Sequence, residues 1–429
     1  MQRPSARELD EVLRNAARGI AERIRDADGS AWIVGGATRD MALGGHPHDI
    51  DLATDLIPDR IEQLFEHTVG VGKAFGTMIV VWKGLGVEVT TFRSERGYSD
   101  GRRPDEVTYG SSVEEDATRR DFTCNALYLD PLTDEFRDPV LGFEDLSAGR
   151  LRCVGDARER FREDGLRILR LARFGARLGL TTEPQTRAAA RAELDSLRGV
   201  SPERLRMEYE KMFQGPRPAE AFAALRELGA HERCLPGWLD GPAGDARLRC
   251  LSALGPVIEP LVGFAALLDP DPGVADLHEL DAATTTLEWL RPSRELRRAV
   301  IELWQLQGPL VQAAAGSASR ADRLRLYRAS AWKAAALLFT ARGVGTLAGL
   351  ATLEAERAAL EPEELQPRPL LTSQDLVDAG VPRGPRFGEL LRRLETEQLD
   401  GLIVDRSGAI AWLDDQLGGN QRRNDQANG

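Results

Sequence analysis

The strand signal in this chain ends near residue 150, and that single change of character restricts the fold more than any other feature. From Trp32 to about Arg150, short Val/Ile/Thr-rich runs such as Met78-Ile79-Val80-Val81-Trp82 and residues 87–92 are broken by Gly and Pro, which predicts a mixed sheet with helices. Beyond it, Ala-, Leu- and Arg-rich segments of helical period follow one another, with breaks at Gly215-Pro216, residues 269–273, Arg291-Pro292 and residues 367–369. The expected class is α+β: a mixed head, then an all-α remainder. A length of 429 residues leaves room for several cores. Residues 5–25 read as an amphipathic helix with Leu9, Val12, Leu13, Ile20 and Ile24 on its apolar stripe, and residues 416–429 read as a polar, disordered end.

Within the head, Ile33-Val34-Gly35-Gly36-Ala37-Thr38-Arg39-Asp40 is followed by His48-Asp49-Ile50-Asp51. On a strand the i, i+2 spacing would point Asp49 and Asp51 the same way, where they repel unless a hard cation intervenes. Magnesium commonly bridges carboxylates to substrate phosphates, and a two-ion arrangement suits nucleotidyl transfer, so Mg2+ is the expected cofactor. Gly35 and Gly36 allow close backbone approach to phosphates, a helix starting near Thr38 would add its positive end, and Arg39 would add fixed charge. A third acid is available at Glu88, which alternates with Val87 and Val89 on the next strand run.

A second charged cluster follows the head. Arg160, Glu163, Asp164, Arg167, Arg170, Arg173 and Arg177 share about half the circumference of a continuous helix, opposite Phe161, Ile168, Leu169 and Ala172. Cytosine and adenine both present an exocyclic amine beside an unprotonated ring nitrogen. Asp164 can accept from the amine and Arg167 can donate to the ring nitrogen, so one acid and one arginine select C and A together without a template. The whole chain is acidic, with 56 Lys+Arg against 68 Asp+Glu, yet residues 150–206 hold 14 arginines against 8 acids. Such a basic strip is the expected footprint of a phosphate backbone.

These blocks resemble the class II tRNA nucleotidyltransferases, the superfamily of CCA-adding enzymes and bacterial poly(A) polymerases, over nearly the whole chain. The first signature corresponds to Gly35-Gly36, Arg39-Asp40, Leu43-Gly44, Asp49, Asp51 and Thr54, and the second to Arg119-Arg120-Asp121-Phe122-Thr123-Cys124-Asn125-Ala126-Leu127. Residues 161–170 resemble the base-reading block and residues 201–208 its helix-stabilising element. The resemblance implies a DNA polymerase β-like head (1–150), a helical neck reading the base (151–216), a body (217–321) and a tail gripping tRNA (322–415). It further implies Arg120 and Asp121 on the triphosphate and ribose, with Glu163, Asp164, Arg167, Arg170 and Arg173 at the nucleotide. CTP, ATP and the tRNA 3′ end are the implied partners, with no protein partner.

The segment Val69-Gly70-Val71-Gly72-Lys73-Ala74-Phe75-Gly76-Thr77 lacks the strongly basic run typical of the polyadenylating members. A full segment at residues 93–105, with Gly97 and Gly101, suits the family's flexible loop, which is expected to enlarge the pocket from cytosine to adenine. Complete CCA addition is therefore expected, ahead of A-adding or CC-adding alone, poly(A) synthesis, and non-catalytic RNA binding. Trp332 beside Lys333 offers a further base-stacking surface. Four cysteines without C-x-x-C spacing favour reduced thiols in the cytoplasm. Five scattered histidines, including the one in His231-Glu232-Arg233-Cys234, argue against a histidine-metal centre. No run is apolar enough to span a bilayer.

Overall fold

The computed structural model describes residues 1–73, 76–96, 106–110, 112–270, 277–343 and 345–427. In the head, β1 (Ala31–Val34), β2 (Asp51–Thr54), β3 (Thr68–Gly72), β4 (Thr77–Trp82) and β5 (Leu85–Thr91) come first. A separate two-stranded ladder, β6 (Arg93–Arg96) with β7 (Glu106–Tyr109), precedes β8 (Tyr128–Leu129) and β9 (Phe136–Arg137). Seven of these strands form one sheet in the order β3-β4-β5-β2-β1-β8-β9. It is mixed because β2 and β5 run parallel while the other neighbours are antiparallel.

Alternation along these strands builds two cores. Ile33, Leu52, Met78, Val80, Val87 and Val89 pack against the first helix, Glu11–Arg25, through Leu13, Ala17, Ile20 and Ile24. Trp32, Val34, Ala53 and Phe92 face the other way, towards Val113, Ala117 and Tyr128. The first helix begins later than expected: Asp10 caps it by accepting from the Leu13 N–H at 2.8 Å. Val12 lies off the stripe, 64% exposed.

The chain divides into two compact units, residues 1–248 with 255–259 and 289–291, and residues 249–254 with 260–288 and 292–429. Both expected boundaries at 150 and 216 fall inside the first unit. Its helical part carries Ala157–Glu163, Leu166–Leu178 and Pro202–Phe213, and also a small parallel pair, Arg150–Leu151 with Thr181–Thr182, so it is not wholly α.

In the second unit Leu371, Leu376, Val381, Leu390, Leu394, Ile403, Ala409 and Leu413 form a core of their own. Trp332 is buried there edge-on to Tyr327, with ring centroids 5.2 Å apart, and is not a stacking surface for RNA. The helix Arg406–Ala427 follows, which Asp405 starts by accepting from the Gly408 N–H and which Ala409 and Leu413 anchor. No helix among the described residues is long and apolar enough to cross a membrane.

Candidate active site

Asp51 opens β2 and is the register partner of Glu88 on parallel β5, so the two carboxylates emerge on the same face. Val87 and Val89 are buried on the opposite face, while Glu88 is exposed. Asp49 lies in the segment leading into β2 rather than on the strand itself, yet it remains near enough for its charge to act on Asp51. Among the described residues none of the three acids has a hydrogen bond or an ion pair, and no three such groups close into a metal cage by themselves. Lost hydration, then repulsion from Glu88 and Asp49, pushes Asp51 up to about 6 despite an opposing pull from Arg120. Although Asp51 is exposed to solvent, the repulsion depends only on the proximity of the other two acids.

The glycine turn meets this face directly. Gly35 has φ +76 and ψ −122, a conformation open to glycine and strained for other residues. A Cβ at Gly35 would lie 3.8 Å from Asp51 Oδ2 and 3.9 Å from Arg120 Nη1, so the bare backbone stands between acid and arginine. The helix that follows starts at Gly36, earlier than expected, and has only seven residues. Arg39, expected at the phosphates, is 3% exposed: its Nε lies 2.9 Å from Asp40 Oδ1, and its Nη1 donates to Asn125 Oδ1 at 2.7 Å.

Arg120 and Asp121 are also held. Arg120 donates to Asp116 Oδ2 (Nη2, 2.9 Å) and to the Tyr128 hydroxyl (Nε, 2.9 Å). Asp121 accepts from Asn125 Nδ2 at 3.0 Å and from Arg170 Nε at 2.8 Å. Those bonds and the Arg170 charge outweigh its burial and hold its carboxyl down to about 2.

The base-reading block is not one helix. The first helix ends at Glu163 and the next begins at Leu166, with Asp164 extended between them (φ −151, ψ 103). Gly165 itself stays in the helical region (φ −58, ψ −24), and a Cβ there would lie 2.5 Å from the Ser196 carbonyl, so only glycine lets the chains pass this closely. Asp164 therefore departs from the helical face shared with Arg167, and the two are held separately. Arg204 grips Asp164 with Nη1 at 3.1 Å and Nη2 at 2.7 Å. Arg167 donates to Glu163 Oε2 at 2.6 Å and to the Arg119 carbonyl at 3.3 Å. Glu163 also pairs with Arg160.

Further along the same helix, Arg173 donates to the buried Glu208 at 2.7 Å, and Arg177 Nη2 lies 3.3 Å from Asp40. Eleven of the fourteen arginines in residues 150–206 have a carboxylate within 4 Å. Only Arg158, Arg187 and Arg191 of that strip lack one among the described residues, so most of its charge is paired, with Arg150, Arg162, Arg177 and Arg198 paired at the surface.

Sequence reasoning missed Asp116 and Tyr128 as site-building residues, and quoted Asn125 and Arg204 within motif blocks without assigning either a role. Asp116 stands i−3 and i−4 from Arg119 and Arg120, a helical spacing that was available to find it. Arg204 lies in the 201–208 block already likened to a helix-stabilising element, but its pairing with Asp164, forty residues away, was not foreseen. His231 bonds Asp240 at 2.8 Å through Nε2 and takes part in no metal cluster among the described residues.

Residues 31–152 match the family described as Poly A polymerase head domain, and residues 179–240 match the one described as Probable RNA and SrmB- binding site of polymerase A. A CCA-adding enzyme of Levilactobacillus brevis is 33% identical over 399 residues, covering 92% of this chain and 96% of that enzyme. One from Geobacillus stearothermophilus is 40% identical over 237 residues, 55% of this chain and 57% of its own length. The solved Bacillus stearothermophilus CCA-adding enzyme in complex with CTP superposes with a TM-score of 0.74 at 29% identity, covering 96% of this chain and 100% of that one. The Thermotoga maritima CCA-adding enzyme complexed with tRNA shares the fold at a TM-score of 0.64 and 19% identity, covering 96% and 100%.

Proposed function

The chain belongs to the tRNA nucleotidyltransferase family of CCA-adding enzymes, and from that premise we propose that it adds the 3′-terminal CCA to tRNA from CTP and ATP, releasing pyrophosphate. The observation that carries this reading is the pairing of Asp51 with Glu88 across parallel strands, beside the Gly35 turn and Arg120.

Two unpartnered carboxylates on one face, with that of Asp49 close by, fit a hard divalent cation that takes a few protein oxygens and completes its shell from substrate phosphates, which is how magnesium usually binds. Asp49 and Asp51 would hold it, with Glu88 completing the set. When bound, Mg2+ supplies charge neutralisation at the phosphates and lowers the pKa of the attacking hydroxyl. The chain's residues do the rest. Gly35 and Gly36 bring backbone N–H groups to the triphosphate, and Arg120 sets a fixed positive charge beside it. The RNA 3′-oxygen bonds to the α-phosphorus as the α–β bridging bond breaks, and the hydroxyl proton passes to a neighbouring carboxylate of the trio. Asp164 accepts from the base amine and Arg167 donates to the ring nitrogen, with Arg204 and Glu163 holding each in place. Arg39, Arg170 and Arg173 contribute by fixing the wall of the nucleotide site. The same reading places the protein in the cytoplasm, consistent with four buried, unpaired cysteines.

The test is incubation of the purified protein with Mg2+, labelled CTP and ATP and a tRNA lacking its terminal CCA, followed by sequencing of the product 3′ ends. Ordered addition of C, C and A is expected. Product ending in CC, or addition of A alone to a CC end, would assign one of the narrower activities. The expected loop falls largely on residues 97–105, outside the described residues. Its flanks, β6 and β7, pair from Arg93–Tyr109 to Arg96–Glu106. Deleting residues 97–102 is expected to leave CC addition running and stop before adenosine; loss of both additions together would reduce the loop to a structural role.

A further inference from the structure

Asp116 is fully buried, and nothing in the roles of the acid trio or the base readers requires a carboxylate there. Burying a carboxylate costs several kcal/mol unless its oxygens are fully engaged. Here they are, and the engagement is divided. Oδ1 accepts from Arg119 Nε at 2.7 Å. Oδ2 accepts from Arg120 Nη2 at 2.9 Å and from the Tyr128 hydroxyl at 2.7 Å. The same hydroxyl accepts from Arg120 Nε at 2.9 Å, and the guanidinium lies 5.3 Å from the Tyr128 ring centroid, so Arg120 is fixed on two sides. The end left pointing outward is Nη1, which bonds the Asn125 carbonyl at 3.3 Å on its way to the Gly35 turn and Asp51. On the other branch, the backbone carbonyl of Arg119 accepts Arg167 Nη2 at 3.3 Å.

We propose that Asp116 is a positioning residue that serves the triphosphate grip and base selection together: with Tyr128 it aims Arg120 through one oxygen, and through the other it seats Arg119, whose carbonyl holds Arg167. The proposal rests on the nucleotidyl-transfer reading and adds to it a shared anchor for two functions. Charge-assisted bonds of this kind are among the stronger hydrogen bonds in proteins and decide where a guanidinium rests.

The two branches separate experimentally. The wild-type protein is first assayed for CTP and ATP incorporation into truncated tRNA; failure at that step overturns the function reading and, with it, the proposal that rests on it. With activity present, Tyr128→Phe, Arg119→Ala and Asp116→Asn are compared for the KM of CTP and ATP, for kcat, and for exclusion of UTP. Tyr128→Phe is expected to raise the KM of CTP and ATP alike by about tenfold, with kcat much less changed and UTP still excluded. Arg119→Ala is expected to leave those KM values near wild type and to weaken UTP exclusion by about tenfold. Asp116→Asn is expected to do both. If its buried carboxamide prevents folding, as circular dichroism would report, the two single-branch variants decide the matter. Wild-type values for both, or parallel change of KM and UTP exclusion in either, overturn the proposal, because a merely structural anchor would not split the two quantities.

Discussion

The acid face of β2 and β5 and the arginine helix Leu166–Leu178 lie in the same unit and treat charge in opposite ways. On the acid face, Asp49 and Glu88 both repel Asp51, and none of the three has a hydrogen-bonded or ionic partner among the described residues. Along the helix, Arg167, Arg170, Arg173 and Arg177 each meet a carboxylate. Uncompensated charge on a rigid sheet makes room for a cation and a phosphate, whose arrival relieves the repulsion. Compensated charge on a helix fixes geometry. On the function proposed above, the polymerising chemistry is assigned to where the fold is electrostatically incomplete, and the selectivity to where it is complete.

That contrast breaks most visibly at the acids. Asp49→Asn or Asp51→Asn is expected to lower incorporation of both C and A by about a thousandfold or more, since several kcal/mol of phosphate-charge stabilisation depends on them. Affinity for truncated tRNA, read by filter binding, should stay near wild type. An equal fall in RNA affinity would mean that the acids do not act through the metal and phosphates. On the helix the effect should appear in stability instead. Arg173→Ala strands Glu208, only 2% exposed, and is expected to cost about 3 kcal/mol in urea unfolding. Lys211 Nζ at 3.5 Å and Arg170 Nη1 at 3.9 Å keep the figure at the lower end of the range for such pairs. A loss below about 1 kcal/mol would show that the helix charges are not structural wiring.

The boundary between the two regimes is Arg167, which is wired to Glu163 and is also proposed to read the base. Arg167→Ala is expected to relax exclusion of UTP by about tenfold to a hundredfold, the worth of one charge-assisted bond, with a smaller change in triphosphate affinity. Competition assays with CTP against UTP measure it. Unchanged exclusion would move base selection to another residue.

How far the sequence could foretell this depends on the range of each interaction. Glu88 was legible because strand alternation is local, and its register with Asp51 follows once the two strands are neighbours. The Gly35 turn was legible for the same reason. Asp164 was misplaced on a continuous helix because the arginine that holds it in the extended gap, Arg204, is forty residues away. The arginine stripe was read as an open basic surface because its partners Asp121, Asp40 and Glu208 are not on the same helix. Its amphipathic period is the same whether the charges face water or carboxylates. The contacts across the head-neck boundary near 150 were not legible either: the arginine helix ties the expected neck to head residues 40, 119 and 121, and no composition shift records that.

The finest test of the contrast is the dependence of stability on pH. Asp51 is raised from 3.8 to about 6 in the folded protein, so the fold holds this proton more tightly than the unfolded chain does. Its ionisation therefore counts against folding: the penalty is fully present above about pH 6, shrinks as the pH falls towards 4, and is absent below that. Asp51→Asn removes it. Without divalent cations the variant should melt slightly above the wild type at about pH 7.5, and the gap should narrow steadily towards about pH 5. Saturating Mg2+ at the higher pH should close the gap from the other side by stabilising the wild type alone, because binding to the native state raises its melting temperature while the variant has lost a ligand. An opposite slope, with the variant less stable at neutral pH and recovering in acid, would mean that Asp51 is paired in the folded protein. The acid face would then be compensated like the helix.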